Sequence, residues 1–196
     1  MDTTPLSRHE RRRQQTRKLL IETTVQLVLE KGYEAITIQD ITDRADLGRG
    51  TFYIHFKDKE DVLWTAIQDL IREMESEAHR QFEGKLPKQV EYYGLLNMFR
   101  HAEKNRDLYR VVLGGQGSAV LTERVQDLLA DVIRRDVENP ELRDPNAEPP
   151  AEVIAQMMTG LMSRLIGWWL KKGNMYSAEQ MAAMTYKVLY RKNPPR

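Results

Sequence analysis

The chain of 196 residues contains no cysteine. That absence removes disulfide frameworks, thiolate metal sites and cysteine nucleophiles together, and it fits a reducing compartment. Long apolar runs are also missing. The longest stretch without a charged residue, Val111 to Thr122, spans 12 residues and holds three glycines. A membrane-spanning helix needs about 20 apolar residues, so no span and no membrane partner is expected. The basic opening MDTTPLSRHERRRQQTRK is not followed by the apolar stretch of a targeting peptide, which makes the cytoplasm the simplest address. Charge of one sign is lacking too: 30 Lys and Arg face 29 Asp and Glu, for a formal +1. Any basic surface must therefore be local. The four histidines, His9, His55, His79 and His101, lie far apart, and no Ser/His/Asp spacing, metal-ligand cluster or cofactor motif accompanies them. Gly114-Gly115-Gln116-Gly117 lacks the strand, lysine and hydroxyl residue of a phosphate-binding loop and reads as an interhelix turn. No enzyme, metal or cofactor is expected.

What is present is helical periodicity almost throughout, with no alternating segment long enough for a strand. The chain reads as all-α. Leu20, Ile21, Thr24, Val25, Leu27 and Val28 form one apolar face after the basic opening, and Gly32 ends that helix. Thr37 is placed to cap a short helix from Ile38 to about Ala45, with Asp40 at its third position. After an Asp46-Leu47-Gly48 turn comes another short helix, about Arg49 to Phe56, with Phe52 and Phe56 on its core side. Asp58 caps a long helix starting near Lys59, with Leu63, Ala66, Ile67, Leu70, Ile71 and Met74 on one stripe. Periodicity breaks over residues 82–87. Helices then follow at about 88–104, 106–113 and 118–137. Residues 138–150 hold four of the eight prolines and four acids and read as a mobile loop. Two helices close the chain, about Ala151 to Lys172 and from a Ser177 cap to about Arg191.

Two short helices joined by a glycine-containing turn form a helix-turn-helix pattern over residues 37–56. A basic arm, residues 1–18, precedes it. Arg8, Arg11, Arg12, Arg13, Arg17 and Lys18 against Glu10 make residues 8–18 carry 6 − 1 = +5, leaving 1 − 5 = −4 for the rest. Positive charge is thus concentrated where a phosphate backbone would be met.

The string TIQDITDRADLGRGTFYIHFKDKEDVL, residues 37–63, closely resembles the DNA-binding signature of the TetR/AcrR family of transcriptional regulators. The likeness extends back to about residue 10. It implies an N-terminal three-helix helix-turn-helix DNA-binding domain, residues 1–60, and a helical effector-binding and dimerisation domain, residues 61–196. Carried over by position, Thr37 and Gln39 start the supporting helix, Arg49, Gly50, Thr51, Tyr53 and His55 lie on the recognition helix, and Lys59 starts the fourth helix. Arg17 of the basic arm joins this set. Arg49 can donate two hydrogen bonds to guanine O6 and N7, or bind a phosphate. Gly50 leaves room for close approach to DNA, or serves tight helix packing. Thr51 offers a methyl contact and a hydroxyl, while Tyr53, His55, Thr37 and Lys59 are placed for phosphates. The family usually has Gly-Val-Ser in the turn. Here Asp46-Leu47-Gly48 moves the glycine, removes the serine cap and adds a carboxylate that can repel phosphate.

In the C-terminal body, Ile154, Met157, Met158, Leu161, Met162, Leu165, Ile166 and Trp169 make a stripe too wide for one neighbouring helix. With Met181, Met184, Thr185 and Val188 on the last helix, it predicts a homodimer through a four-helix bundle, as the resemblance also implies. The resemblance further implies a small-molecule effector inside this body. Tyr92, Tyr93, Met98, Phe99, Tyr109, Met158, Met162 and Trp168 are the candidate lining, since methionine repacks readily and tyrosine keeps a polar tip. Plain core packing is the competing reading of each. The function expected is that of a repressor released from a palindromic operator by its effector; the alternative is a protein-binding adaptor that keeps the helix-turn-helix but does not bind DNA.

Overall fold

Periodicity becomes nine helices among the described residues, and no strand among them. The computed structural model describes residues 7–82, 87–115, 118–138, 148–173 and 175–191, with side chains for all of these except 78–82 and 87–90. The chain divides into two units, Met1–Gln68 and Asp69–Arg196, and the division falls inside one helix. Parts of the expected breaks, residues 83–86, 116–117 and 139–147, lie outside the described residues.

The first unit holds α1 (Arg8–Lys31), α2 (Ile38–Arg44), α3 (Arg49–His55) and the beginning of α4 (Lys59–Phe82). The basic arm is corrected at once: from Arg8 onward it is helix, the first turns of α1. The cause is a capping box. The Ser7 hydroxyl accepts from the Glu10 amide at 3.2 Å while the Glu10 carboxylate accepts from the Ser7 amide at 2.8 Å, so free N–H groups at the helix start are satisfied. Leu20, Leu27 and Val28 of α1 are fully buried with Ile36, Ile41, Phe52, Val62 and Leu63. At the other end of α1, Gly32 takes φ 83, a left-handed turn residue as expected after a helix. Two exposed ion pairs tie α1 to α2, Lys31 with Asp40 at 3.2 Å and Arg44 with Glu30 at 2.9 Å. Exposed pairs of this kind contribute about 0–1 kcal/mol each and mainly set register.

The second unit holds α5 (Pro87–Lys104), α6 (Arg106–Leu113), α7 (Ala119–Val137), α8 (Ala151–Lys171) and α9 (Ala178–Tyr190). α7 and α6 pack on α8, and α5 packs along α9. Its core joins Leu95, Leu96 and Phe99 of α5 to Met162, Ile166 and Trp169 of α8 and to Met181 and Tyr186 of α9. Phe99 meets the edge of Trp169 with ring centres 5.5 Å apart, and the Trp169 indole N–H donates to the Tyr176 carbonyl at 2.8 Å. Gly167 explains how α6 reaches α8: a Cβ there would stand 2.9 Å from the Leu113 carbonyl oxygen, so the backbones approach too closely for a larger residue. Ser177 and Gln180 form the expected capping box at the start of α9. No helix among the described residues is long and apolar enough to cross a membrane.

Candidate nucleic-acid interface

α3 is short, and one face of it is committed. Phe52 is completely buried and the cap residue Phe56 nearly so, at 0% and 3% exposure. Residues i, i+1, i+4 and i+5 on the other side must then face outward. They are Arg49, Gly50, Tyr53 and Ile54, all exposed. Thr51 is half-buried at the edge of this face. Nothing lies within 4 Å of a Cβ built on Gly50, so packing does not require this glycine and open space lies in front of it.

The turn before α3 departs from the expected pattern in a way the backbone explains. Asp46 takes φ 53, the left-handed region, whereas Gly48 is extended at φ −74 and ψ 149 as the N-cap of α3. The position that favours glycine thus carries an aspartate, and the position that favours serine carries a glycine. Gly48 makes no side-chain cap, and the turn is closed instead by the Leu47 amide donating to the Thr42 carbonyl at 2.9 Å. Asp46 is exposed at this turn.

Several of the sequence-derived contact residues already hold partners. The Thr37 hydroxyl accepts from the Asp40 amide at 3.1 Å, and Asp40 returns the bond to the Thr37 amide at 2.9 Å. The Thr37 hydroxyl also donates to the Asp40 carboxylate at 2.5 Å, and this bond first, then that from the Thr37 amide, then Lys31, hold the Asp40 carboxyl down at about 2. Gln39 donates to Asp43 on the same helix. Lys59 is the most firmly engaged. Its ammonium donates to the carbonyls of Tyr33 at 2.8 Å and Ile36 at 2.9 Å and lies 4.3 Å from the centre of the Tyr33 ring. It closes the connection between α1 and α2 onto the start of α4. Tyr33 is buried beneath it; desolvation, then Glu60, Asp58 and Glu34, push its phenol up to about 12.

His55 stands half-buried at the end of α3. Burial lowers its pKa first, and the charges of Arg13 and Arg17 lower it further. The charge of these two α1 arginines is therefore felt at the end of α3. Ile54 is the outward residue that the sequence reading left out. Its spacing of four from Gly50 was the available signal.

In the second unit the candidate effector residues separate. Phe99 and Met162 are core, at 0% and 3% exposure, with Tyr92, Tyr93, Met98, Tyr109 and Met158 packed half-buried around the same cluster. Trp168 does not join them. It is exposed and lines a groove of 620 Å³ with Leu161 and Leu165 of α8 and Met181, Met184 and Val188 of α9. Near Tyr109 lies a polar group within the core: the buried His101 has Nδ1 3.1 Å from the Tyr109 hydroxyl, while its Nε2 has no hydrogen-bond partner and lies 3.9 Å from the Glu73 carboxylate. Burial lowers the His101 pKa, opposed by Glu73 and Glu77 and reinforced by Lys104.

Comparison with known proteins identifies the family. Residues 20–64 match the family model for bacterial regulatory proteins of the tetR family, and residues 92–191 match that for a transcriptional regulator C-terminal region. The chain belongs to the TetR family of transcriptional regulators. It is similar to the HTH-type transcriptional repressor DhaR of Mycobacterium sp. (strain GP1), 36% identical over 59 residues, covering 30% of each protein. The matched stretches span 26 to 37% of the length of three curated relatives, which include two regulators from Bacillus subtilis. Similarity of fold runs much further. A TetR-family regulator from Syntrophomonas wolfei superposes with a TM-score of 0.75 at 21% identity, covering 89% of this chain and 93% of that one. FadR from Bacillus subtilis, solved in complex with stearoyl-CoA, gives 0.65 at 18% identity, over 88% and 95%.

Proposed function

We propose that this chain is a DNA-binding transcriptional repressor that acts as a homodimer and is released from a palindromic operator by a small-molecule effector. The observation that supports it best is the outward face of α3, where Arg49, Tyr53 and Ile54 are exposed and nothing stands within 4 Å of a Cβ built on Gly50. A helix with such a gap can bring its backbone to the floor of the major groove, with Arg49 donating to a guanine or a phosphate. Residues 1–60 make the DNA contacts in this reading, and residues 61–196 hold the effector and the dimer contact. Arg13 and Arg17, whose charge is felt at His55, add positive charge for the phosphates. Thr51 and Tyr53 supply hydroxyls, Thr37 and Lys59 act through the backbone they brace, and Gln39 is held by Asp43 on its own helix.

The homodimer forms through α8 and α9. Met157, Leu161, Trp168, Met184 and Val188 are all exposed on these two helices. An apolar surface of that extent on a helix pair favours a second copy, and two pairs make a four-helix bundle. Two recognition helices then meet half-sites about 34–36 Å apart. The effector is an apolar small molecule, held where Tyr92, Tyr93, Met98, Tyr109 and Met158 surround the core of the second unit. The stearoyl-CoA bound by FadR supplies the first compounds to try, a series of acyl-CoA esters. Trp168 belongs to the dimer surface in this reading.

Selection of bound duplexes from a random DNA library tests the proposal without knowledge of a target gene. An enriched palindrome with two half-sites one helical turn apart is expected, bound with affinity that falls steeply with salt. Binding without an enriched motif and without salt dependence would move weight to the adaptor reading, which the exposed carboxylate of Asp46 favours.

A further inference from the structure

The structure assigns a base-reading role to Ile54: we propose that it contacts the 5-methyl group of thymine at one position in each operator half-site. The inference rests on the DNA-binding reading above and names the chemistry that this face recognises. Ile54 is 68% exposed, more than Tyr53 at 57% or Leu19 at 41%, the other large exposed hydrophobics among the described residues of the first unit. A branched aliphatic side chain held out on a short, otherwise packed helix carries no group that can bond to water or to a phosphate. Its surroundings narrow the choice of partner. Gly50 lies one turn before it and nothing stands within 4 Å of a Cβ built there, so no side chain from the preceding turn crowds Ile54 on this face. Arg49 and Tyr53, which carry polar ends, are exposed on the same face.

A protein partner would need an apolar patch of about 800 Å² on this side, and one isoleucine between polar residues does not provide it. The major groove offers a small apolar group in a polar setting, the thymine methyl. An aliphatic residue that approaches it as the helix backbone descends at Gly50 excludes water from both. Thymine is then preferred over cytosine, because cytosine presents an amino group and no methyl at the corresponding edge.

The test uses the full chain and the palindrome recovered by library selection. Each thymine of the half-site is replaced in turn by deoxyuridine, which removes only the methyl, symmetrically in both halves. Affinity is measured for the natural chain, Ile54→Val and Ile54→Ala. Losing one buried methyl weakens binding roughly fourfold per half-site, so about fifteenfold for the pair. One thymine position should show that loss for the natural chain and for Ile54→Val, while Ile54→Ala binds the thymine duplex more weakly and is indifferent to the replacement. Equal losses in Ile54→Ala and the natural chain, or no sensitive thymine in the half-site, would overturn the role of Ile54 and leave the DNA-binding reading intact. Failure to enrich any duplex would overturn both. Unchanged melting temperature and helix content in the variants separate loss of contact from loss of fold.

Discussion

Replacement of Gly50 by alanine should make the protein more stable and a poorer DNA binder, and the opposition of the two signs is the informative part. No heavy atom lies within 4 Å of the added Cβ, and Gly50 sits in the first turn of α3 without a positive φ. Glycine in a helix costs about 0.5–1 kcal/mol relative to alanine, because it has more backbone freedom to lose on folding. Nothing in the folded structure offsets that gain. For a chain of this size, 1 kcal/mol corresponds to roughly 2–4 °C, so Gly50→Ala should melt about 1–4 °C higher. On DNA the same methyl occupies the space through which the backbone approaches the bases. An extra methyl in a closely packed interface costs typically 1–3 kcal/mol, or about 5- to 150-fold in affinity. Differential scanning fluorimetry and fluorescence anisotropy on the selected duplex give the two numbers from one preparation. A lower melting temperature would mean that Gly50 serves packing after all. A higher one with unchanged affinity would mean that this face of α3 does not enter the groove.

The turn before α3 makes a paired prediction: Asp46→Gly relieves a left-handed φ of 53 and should stabilise the fold by up to about 1 kcal/mol, whereas Asp46→Asn should leave stability nearly unchanged. Both remove the carboxylate and should tighten binding to duplex DNA at low salt, so a melting curve and a salt titration separate backbone from charge. Lys59→Met should destabilise the chain by about 1–3 kcal/mol, because the carbonyls of Tyr33 and Ile36 lose their shared donor; an unchanged urea midpoint would show that water replaces the ammonium. Stability should fall as pH drops below about 6.5, since the unfolded chain protonates His101 there while the buried, neutral His101 of the folded chain resists until a lower pH. His101→Gln should flatten the curve of melting temperature against pH between 5 and 7, and an unaltered slope would assign it to other groups. Val188→Glu, on an exposed apolar position of α9, should convert dimer to monomer in analytical ultracentrifugation; a persistent dimer would place the interface elsewhere.

The parts of this protein that the sequence determines by itself are those whose cause lies within about four residues. Apolar spacing announces the helices, Thr37 with Asp40 and Ser177 with Gln180 announce their starts, and Gly32 announces a stop. The capping box of Ser7 and Glu10 was equally local and was overshadowed by the arginines that follow it. The charge run suggested an arm, while the cap makes those same residues the opening of α1. The helix-turn-helix and the identity of its second helix were legible for the same reason, since a contiguous motif carries them.

Tertiary packing decided what no local pattern could. Phe52 and Ile54 are both apolar and two residues apart, and only the burial of Phe52 in the core turns Ile54 outward. Trp168 and Trp169 are adjacent and identical in type. Trp169 is enclosed by α5 and α9 residues, and Trp168 is therefore left on the α8 surface. Lys59 has the charge and position for a phosphate, yet two carbonyls more than 20 residues earlier in the chain accept hydrogen bonds from its ammonium. Periodicity reports that a helix has an apolar side. Which neighbour covers that side, and which polar groups find partners far away in sequence, depends on helices meeting after they have formed, and there the outward face of α3 is set.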